Sequence, residues 1–155
     1  MKWSEVIDSP YFRDMPFKIE MNKYGSVLMH PRTNAHGIMS GKIIYILAKG
    51  LKKRGQIYCN CAIQTSDGVK VANVAWASKS FGKRNVCVTH FNEAPEICVE
   101  IVSAANSKEE MGQKVELYLA RGAKEVWLAD VNKTIKIFVN SGEIKKSVFI
   151  PNIKL

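Results

Sequence analysis

The alternation of apolar and polar residues divides the chain into short strands and two clear helices. Residues 17–21 and 26–30 alternate on either side of Lys23, Tyr24 and Gly25, which predicts a β-hairpin. Over 35–53, Met39, Ile43, Leu47 and Leu51 recur every four positions, and Ile46 and Gly50 widen the stripe; this predicts an amphipathic helix with Asn34 at its N-cap. Lys49, Lys52, Lys53 and Arg54 crowd the last turn, where cations complement the negative end of a helix, and Gly55 is placed to stop it. Residues 56–64 and 69–77 read as two strands joined by a turn at Ser66, Asp67 and Gly68. SKSFGKRN, residues 78–85, reads as a loop, and EICVEIV, 96–102, as a third core strand. Ser107 and Glu110 form a capping box for a helix whose apolar face is Met111, Val115, Tyr118 and Leu119, ended by Gly122. EVWLAD, 125–130, and IKIFV, 135–139, predict two further strands, and the first ten residues a short helical turn with Ser4 as N-cap and Pro10 at its end. The order is roughly βα-βββ-αββ, an α/β fold with a central mixed β-sheet flanked by helices.

Length and composition agree with one globular domain over 1–155. The chain has 155 residues, 46% apolar and 24% charged, enough for a single core. The longest apolar run, IIYILA at 43–48, is followed at once by Lys49 and falls short of the ~20 residues of a membrane span. The start, MKWSEVIDSP, lacks the apolar stretch of a secretion signal, so a cytoplasmic location with no membrane partner is expected. A net charge of +9 favours polyanions without establishing that one is bound. Cys59, Cys61, Cys87 and Cys98 are not spaced as paired CxxC motifs, so buried free thiols are expected rather than structural zinc. Alternation around Asn60 would put Cys59 and Cys61 on one face.

Glu100 is the residue that needs explaining. It lies mid-strand among apolar neighbours, sharing a face with Cys98 and Val102, and a carboxylate buried there is costly unless a cation accompanies it. Lys114 is in reach. Glu100 is set roughly 7 Å back from its strand's end, and Lys114 roughly 9 Å back along the returning helix. A buried structural ion pair and a catalytic pair fit equally well. On the preceding strand, Asn73 shares a face with Val71, Ala75 and Ala77 and must be hydrogen-bonded if buried. A carboxylate at 73 opposite Glu100 would make a metal site.

The stretch from Ala94 to Asp130, APEICVEIVSAANSKEEMGQKVELYLARGAKEVWLAD, resembles the Uma-two family of restriction-endonuclease-like proteins, within the PD-(D/E)XK nuclease superfamily. The resemblance extends through IQTSDGVKVANVAW at 63–76, MHPRTNAHG at 29–37, and WSEV and MPFKIEMN near the start, so it covers almost the whole chain. It implies a PD-(D/E)XK core hydrolysing DNA phosphodiester bonds, with an Asp and a Glu holding Mg²⁺ or Mn²⁺. The Glu falls on Glu100, and the lysine on Lys114 of the following helix, since Val102 fills the usual Lys place. The Asp position falls on Asn73, which keeps a carbonyl oxygen and loses the charge; Ala72 replaces the preceding Pro, and SAAN at 103–106 departs from the family's Ser-Pro step. A weakened or inactive centre follows, whether Asn73 is natural or was introduced to stop turnover. So does a rival reading, a non-catalytic module that binds nucleic acid or a partner.

Glu20 and His36 match the family's N-terminal pattern. Glu20 either completes the acidic cluster or is a surface carboxylate on the hairpin. His36, in the first turn of its helix, either touches phosphate or caps and packs. Arg32, and the loop carrying Lys79, Lys83 and Arg84 with Phe81 as a stacking or wedging side chain, are the candidate DNA contacts; a solvated loop is the alternative. The terminal run SVFIPNIKL is apolar, and either packs on its own core or pairs with a second copy, as nucleases that cut both strands often dimerise.

Overall fold

The computed structural model describes residues 1–86 and 88–153. Cys87, Lys154 and Leu155 lie outside the described residues. A short helix α1 (Trp3–Asp8) and a 3₁₀ turn (Pro10–Phe12) precede a two-stranded antiparallel hairpin, β1 (Phe17–Met21) and β2 (Val27–Pro31). Helix α2 (Asn34–Leu51) follows. Strands β3 (Gly55–Thr65), β4 (Gly68–Ser78), β5 (Ile97–Val102), β6 (Glu125–Asp130), β7 (Ile135–Val139) and β8 (Gly142–Ile144) form one sheet in that spatial order. A short helix α3 (Lys79–Arg84) follows β4, and α4 (Lys108–Ala120) joins β5 to β6. That crossover makes β5–β6 the parallel pair in an otherwise antiparallel sheet.

Helices cover both faces. Met39, Ile43, Leu47 and Leu51 of α2 pack on Val74, Trp76, Val99, Ile101 and Trp127. Val115 and Tyr118 of α4 pack on the opposite face with Ala75, Ala77, Cys98 and Val126. Each fully buried aliphatic side chain contributes roughly 1.5–3 kcal/mol, so α2 is held by its apolar stripe rather than by helix propensity. The hairpin docks separately, with Met21 in a third cluster beside Trp3, Val6, Val69 and Val71. Gly68 (φ +76°) permits that approach, because a Cβ there would collide with the Met21 carbonyl and Asn22.

Several element ends differ from the sequence reading. Lys2, not Ser4, caps α1, with Glu5 Oε2 accepting from the Lys2 N–H at 2.7 Å. Thr33, not Asn34, caps α2, because its hydroxyl reaches the His36 N–H. That helix ends at Leu51, where Lys52 and Lys53 turn left-handed; Gly55 instead opens β3, pressed against the Ala77 carbonyl. SKSFGKRN is not a loop: Ser78 caps a six-residue helix that buries Phe81 in the core, which removes Phe81 as an exposed stacking residue. The apolar tail packs on its own domain through Phe149, Ile150 and Ile153. Glu125 anchors it, accepting from Ser147 Oγ at 2.7 Å and the Val148 N–H at 2.6 Å.

Strand alternation is broken once, beside the site. Asn60 and Asn73 lie between the pairs Cys59–Val74 and Cys61–Ala72. Asn60 has φ +56°, a left-handed conformation that Asn tolerates better than most residues. Cys61, Ile63 and Ala72 consequently join the cluster of Ala75 and Ala77, whereas Val71 packs under the hairpin. Val71 therefore does not share a face with Ala75, and Cys59 is exposed while Cys61 is buried.

Candidate active site

Five polar side chains from four elements meet where β4 and β5 part. The ladder between these strands runs from Trp76–Ile97 to Val74–Val99 and stops short of Asn73 and Glu100. The Asn73 side chain replaces the missing rung, its Oδ1 accepting from the Ile101 N–H at 3.1 Å. Lys18 and Glu20 enter from β1, and Lys114 from α4. All five are buried: Lys18 6%, Glu20 1%, Asn73 8%, Glu100 2% and Lys114 5% exposed, so each charge requires a partner.

The partners are mutual. Lys18 Nζ donates to Glu100 Oε2 at 2.7 Å and to Asn73 Oδ1 at 3.3 Å, and lies 3.4 Å from Glu20 Oε1. Lys114 Nζ donates to Glu20 Oε1 at 2.9 Å and stands 3.7 Å from Glu100 Oε1. Tyr118 donates its hydroxyl to Glu100 Oε1 at 2.7 Å. Glu20 Oε1 also accepts from the Val71 N–H at 3.0 Å, and Glu20 Oε2 lies 3.4 Å from His30 Nε2. Burial by itself would raise the Glu20 carboxyl, but His30, Lys18, Lys114 and the Val71 N–H outweigh it and hold the group well below the usual carboxylate range. Burial would lower Lys114, whereas Glu100 and Glu20 together push it above the usual lysine value. Burial first, and Glu100 second, push the Tyr118 hydroxyl far up, so it stays a donor.

A pocket of about 150 Å³ opens over this cluster, lined among others by Lys18, Arg32, His36, Asn73, Glu100 and Lys114. Arg32 is tied to Asn60 Oδ1 at 2.5 Å. In its neutral form the His36 ring can accept at Nδ1, which lies 2.8 Å from Thr33 Oγ1 and 3.4 Å from the Thr33 backbone nitrogen. Burial, with Arg32 and Lys18 nearby, lowers the His36 pKa and favours that neutral form.

The structure thus brings Glu20, Asn73, Glu100, Lys114, Arg32 and His36 together. It does not bring Lys79, Lys83 and Arg84 there: α3 begins at Lys79, six residues after Asn73 and roughly 20 Å along the strand. Arg84 pairs with Glu93 at 3.1 Å, and Lys79 and Lys83 border a separate groove. Sequence reasoning missed Lys18, the role of Tyr118, and His30, which it set aside with His90 and which stands against Glu20 in the pocket wall. The signal for Lys18 was FKIEM, where a Lys and a Glu two apart share one strand face.

The Uma2 family, described as "Putative restriction endonuclease", matches residues 5–149. The chain belongs to this family. A crystal structure of "a putative nuclease belonging to DUF820" from Anabaena variabilis ATCC 29413 is similar to it with a TM-score of 0.70 and 15% identity, over 100% of this chain and 94% of that one. The likeness shows a shared fold, a mixed sheet flanked by helices. No curated protein matches the chain. Among the described residues no helix is long and apolar enough to cross a membrane.

A family of this kind generally uses a divalent ion, and the donor set here is oxygen-rich as such ions prefer. The residues as they stand nevertheless do not fit one. Two carboxylates and one amide converge on Lys18, which all three already contact, the Glu110 carboxylate lines the same pocket without joining them, and no group of three or more His, Cys, Asp or Glu side chains suited to a metal exists among the described residues.

Proposed function

We propose that this member of the Uma2 family is a DNA-directed endonuclease domain whose hydrolytic step is weakened or lost. The observation that carries this reading is the pocket itself. Arg32 and His36 line its more exposed side, so a phosphodiester entering meets the Arg32 guanidinium and the His36 ring, while Lys18 and Lys114 beneath are paired with Glu100 and Glu20. Arg32 at the pocket of a chain of net charge +9 gives salt-sensitive, sequence-tolerant attraction to DNA.

The family pattern calls for Mg²⁺ or Mn²⁺ between Glu100 and residue 73, with Lys114 assisting and Glu20 in the acidic cluster. Asn73 withdraws one of the charges that would hold the ion while keeping the acceptor that Ile101 requires. What this chain's own residues do is clearer. Lys18 and Tyr118, bonded to its two oxygens, fix the Glu100 carboxylate in one orientation, and Arg32 and His36 would hold a phosphate entering the pocket they line.

The test is a plasmid-nicking assay with Mg²⁺ or Mn²⁺, comparing the natural chain with Asn73→Asp, and with Glu100→Ala in that background. Nicking that appears with Asn73→Asp and disappears with the second change supports the site. If no form nicks any DNA, yet the chain binds DNA in a salt-dependent way, the non-catalytic binding reading, which Asn73 favours, takes over. Dimerisation stays a separate proposal, to be read from solution mass, because the apolar tail already has a seat on its own core.

A further inference from the structure

The position of Lys18 goes beyond the family pattern. Its ammonium sits where oxygens from three strands converge: Glu100 Oε2 at 2.7 Å, Asn73 Oδ1 at 3.3 Å and Glu20 Oε1 at 3.4 Å. Three inward-aimed oxygens from β1, β4 and β5 around one positive centre are the geometry of a cation site. The cation present is covalently part of the chain. Charges agree with that arrangement. Two carboxylates, Glu20 and Glu100, face two ammonium groups, Lys18 and Lys114, within 4 Å, Asn73 adds no charge, and Arg32 and Glu110 on the wall of the same pocket cancel, so the cluster is formally neutral.

We infer that Lys18 is a built-in counter-cation that replaces a divalent ion at this centre, and that Asn73 and Lys18 are a matched pair: a neutral residue at 73 is what allows one internal ammonium to complete the charge balance. A divalent ion entering the site would have to expel Lys18 from burial or face two ammonium groups at contact range, with no net negative charge to attract it. Aspartate at 73 would leave the cluster one charge short of neutrality, while Lys18 would still occupy the position. Removing Lys18 as well would vacate the oxygens.

The inference rests on this geometry and not on the DNA reading, so its test contains no DNA. Mn²⁺ alone is titrated at neutral pH, followed by the loss of its free-ion paramagnetic resonance signal and by calorimetry. The proteins are the natural chain, Glu100→Gln, Asn73→Asp, and Asn73→Asp combined with Lys18→Met; Lys18→Gln replaces the methionine variant if circular dichroism shows that the latter does not fold. The natural chain should show no saturable Mn²⁺ binding that Glu100→Gln removes. The double variant should bind Mn²⁺ at least about tenfold more tightly than Asn73→Asp alone, a difference of about 1.4 kcal/mol. Saturable binding by the natural chain that Glu100→Gln abolishes would overturn the inference. So would a folded double variant no tighter than Asn73→Asp. Because plasmid nicking and DNA binding are not read, failure of the DNA proposal leaves either result unchanged.

Discussion

Replacing Lys18 by methionine should destabilise the fold by several kcal/mol, and the size follows from what remains around the gap. Lys18 is 6% exposed and its nearest partner, Glu100, 2% exposed, so solvent screening does not soften the loss. Removing one partner of a buried pair costs about 3–5 kcal/mol, since the other charge stays buried and uncompensated. Lys114, 3.7 Å from Glu100 and bonded to Glu20, can shift to share its charge, which places the expected loss towards the lower end. For a chain of this length about 3 kcal/mol corresponds to a fall in Tm of roughly 6–12 °C. Urea unfolding followed by the fluorescence of buried Trp76 and Trp127 measures it directly. Adding Glu100→Gln, which keeps an acceptor for Tyr118, removes the orphaned charge, so the double variant should lose clearly less than the sum of the two single changes. A loss for Lys18→Met below about 1 kcal/mol, the value of an exposed pair, would refute the assignment of Lys18 as the cluster's counter-cation.

Tyr118→Phe removes one hydrogen bond to a charged group and should cost about 1.5–3 kcal/mol in the same urea experiment, with no change in the far-ultraviolet spectrum. Because the folded Glu20 pKa lies below its unfolded value of 4.5, its stabilising contribution is complete above that pH and declines as pH falls through the folded value; Glu20→Gln should flatten the acid limb of stability against pH. Lys114 has the opposite sign. Its folded pKa is raised, so its contribution is complete below the unfolded value of 10.5 and is lost only as pH climbs through the folded one, which Lys114→Met would remove at neutral pH. Among the described cysteines, exposed Cys59 should alkylate rapidly in the folded protein, while Cys61, its thiol pushed up to about 12 by burial, and fully enclosed Cys98 should stay unlabelled by peptide mapping. Arg32→Ala should lower the salt dependence of DNA binding by about one counter-ion, measured by anisotropy across a salt series.

The frame was legible in the chain because hydrophobic periodicity carried it. The four-residue spacing of Met39, Ile43, Leu47 and Leu51 and the run EICVEIV each allow one burial pattern, and the structure realises both. Element ends were less legible. Thr33 and Asn34 are both good caps, and only the position of the His36 N–H decides between them. SKSFGKRN looked like a loop because a helix of six residues carries too little periodicity to register. Glu100 with Lys114 was found by asking what a buried carboxylate requires, and both stand in one cluster. Lys18 escaped the same question because β1 inverts the usual rule: its charged side chains face inward, while Phe17 is 37% exposed. Nothing in FKIEM alone says which face the core will claim. That depends on Val71, 51 residues after Glu20, and Glu100, 82 residues after Lys18, which supply the partners of the two side chains.

The missing rung between β4 and β5 turns one backbone amide into a gauge of the whole centre. Strand amides in a ladder are shielded from exchange by their neighbour's carbonyl, but the Ile101 N–H is shielded by a side chain, Asn73 Oδ1, which is itself held by Lys18. Its deuterium exchange therefore reports on how firmly the polar cluster is assembled, while the amides of Val99 and Cys98 report on the sheet. A ligand, a substitution or a change of pH that loosens the cluster without unfolding the protein would be written in that single rate.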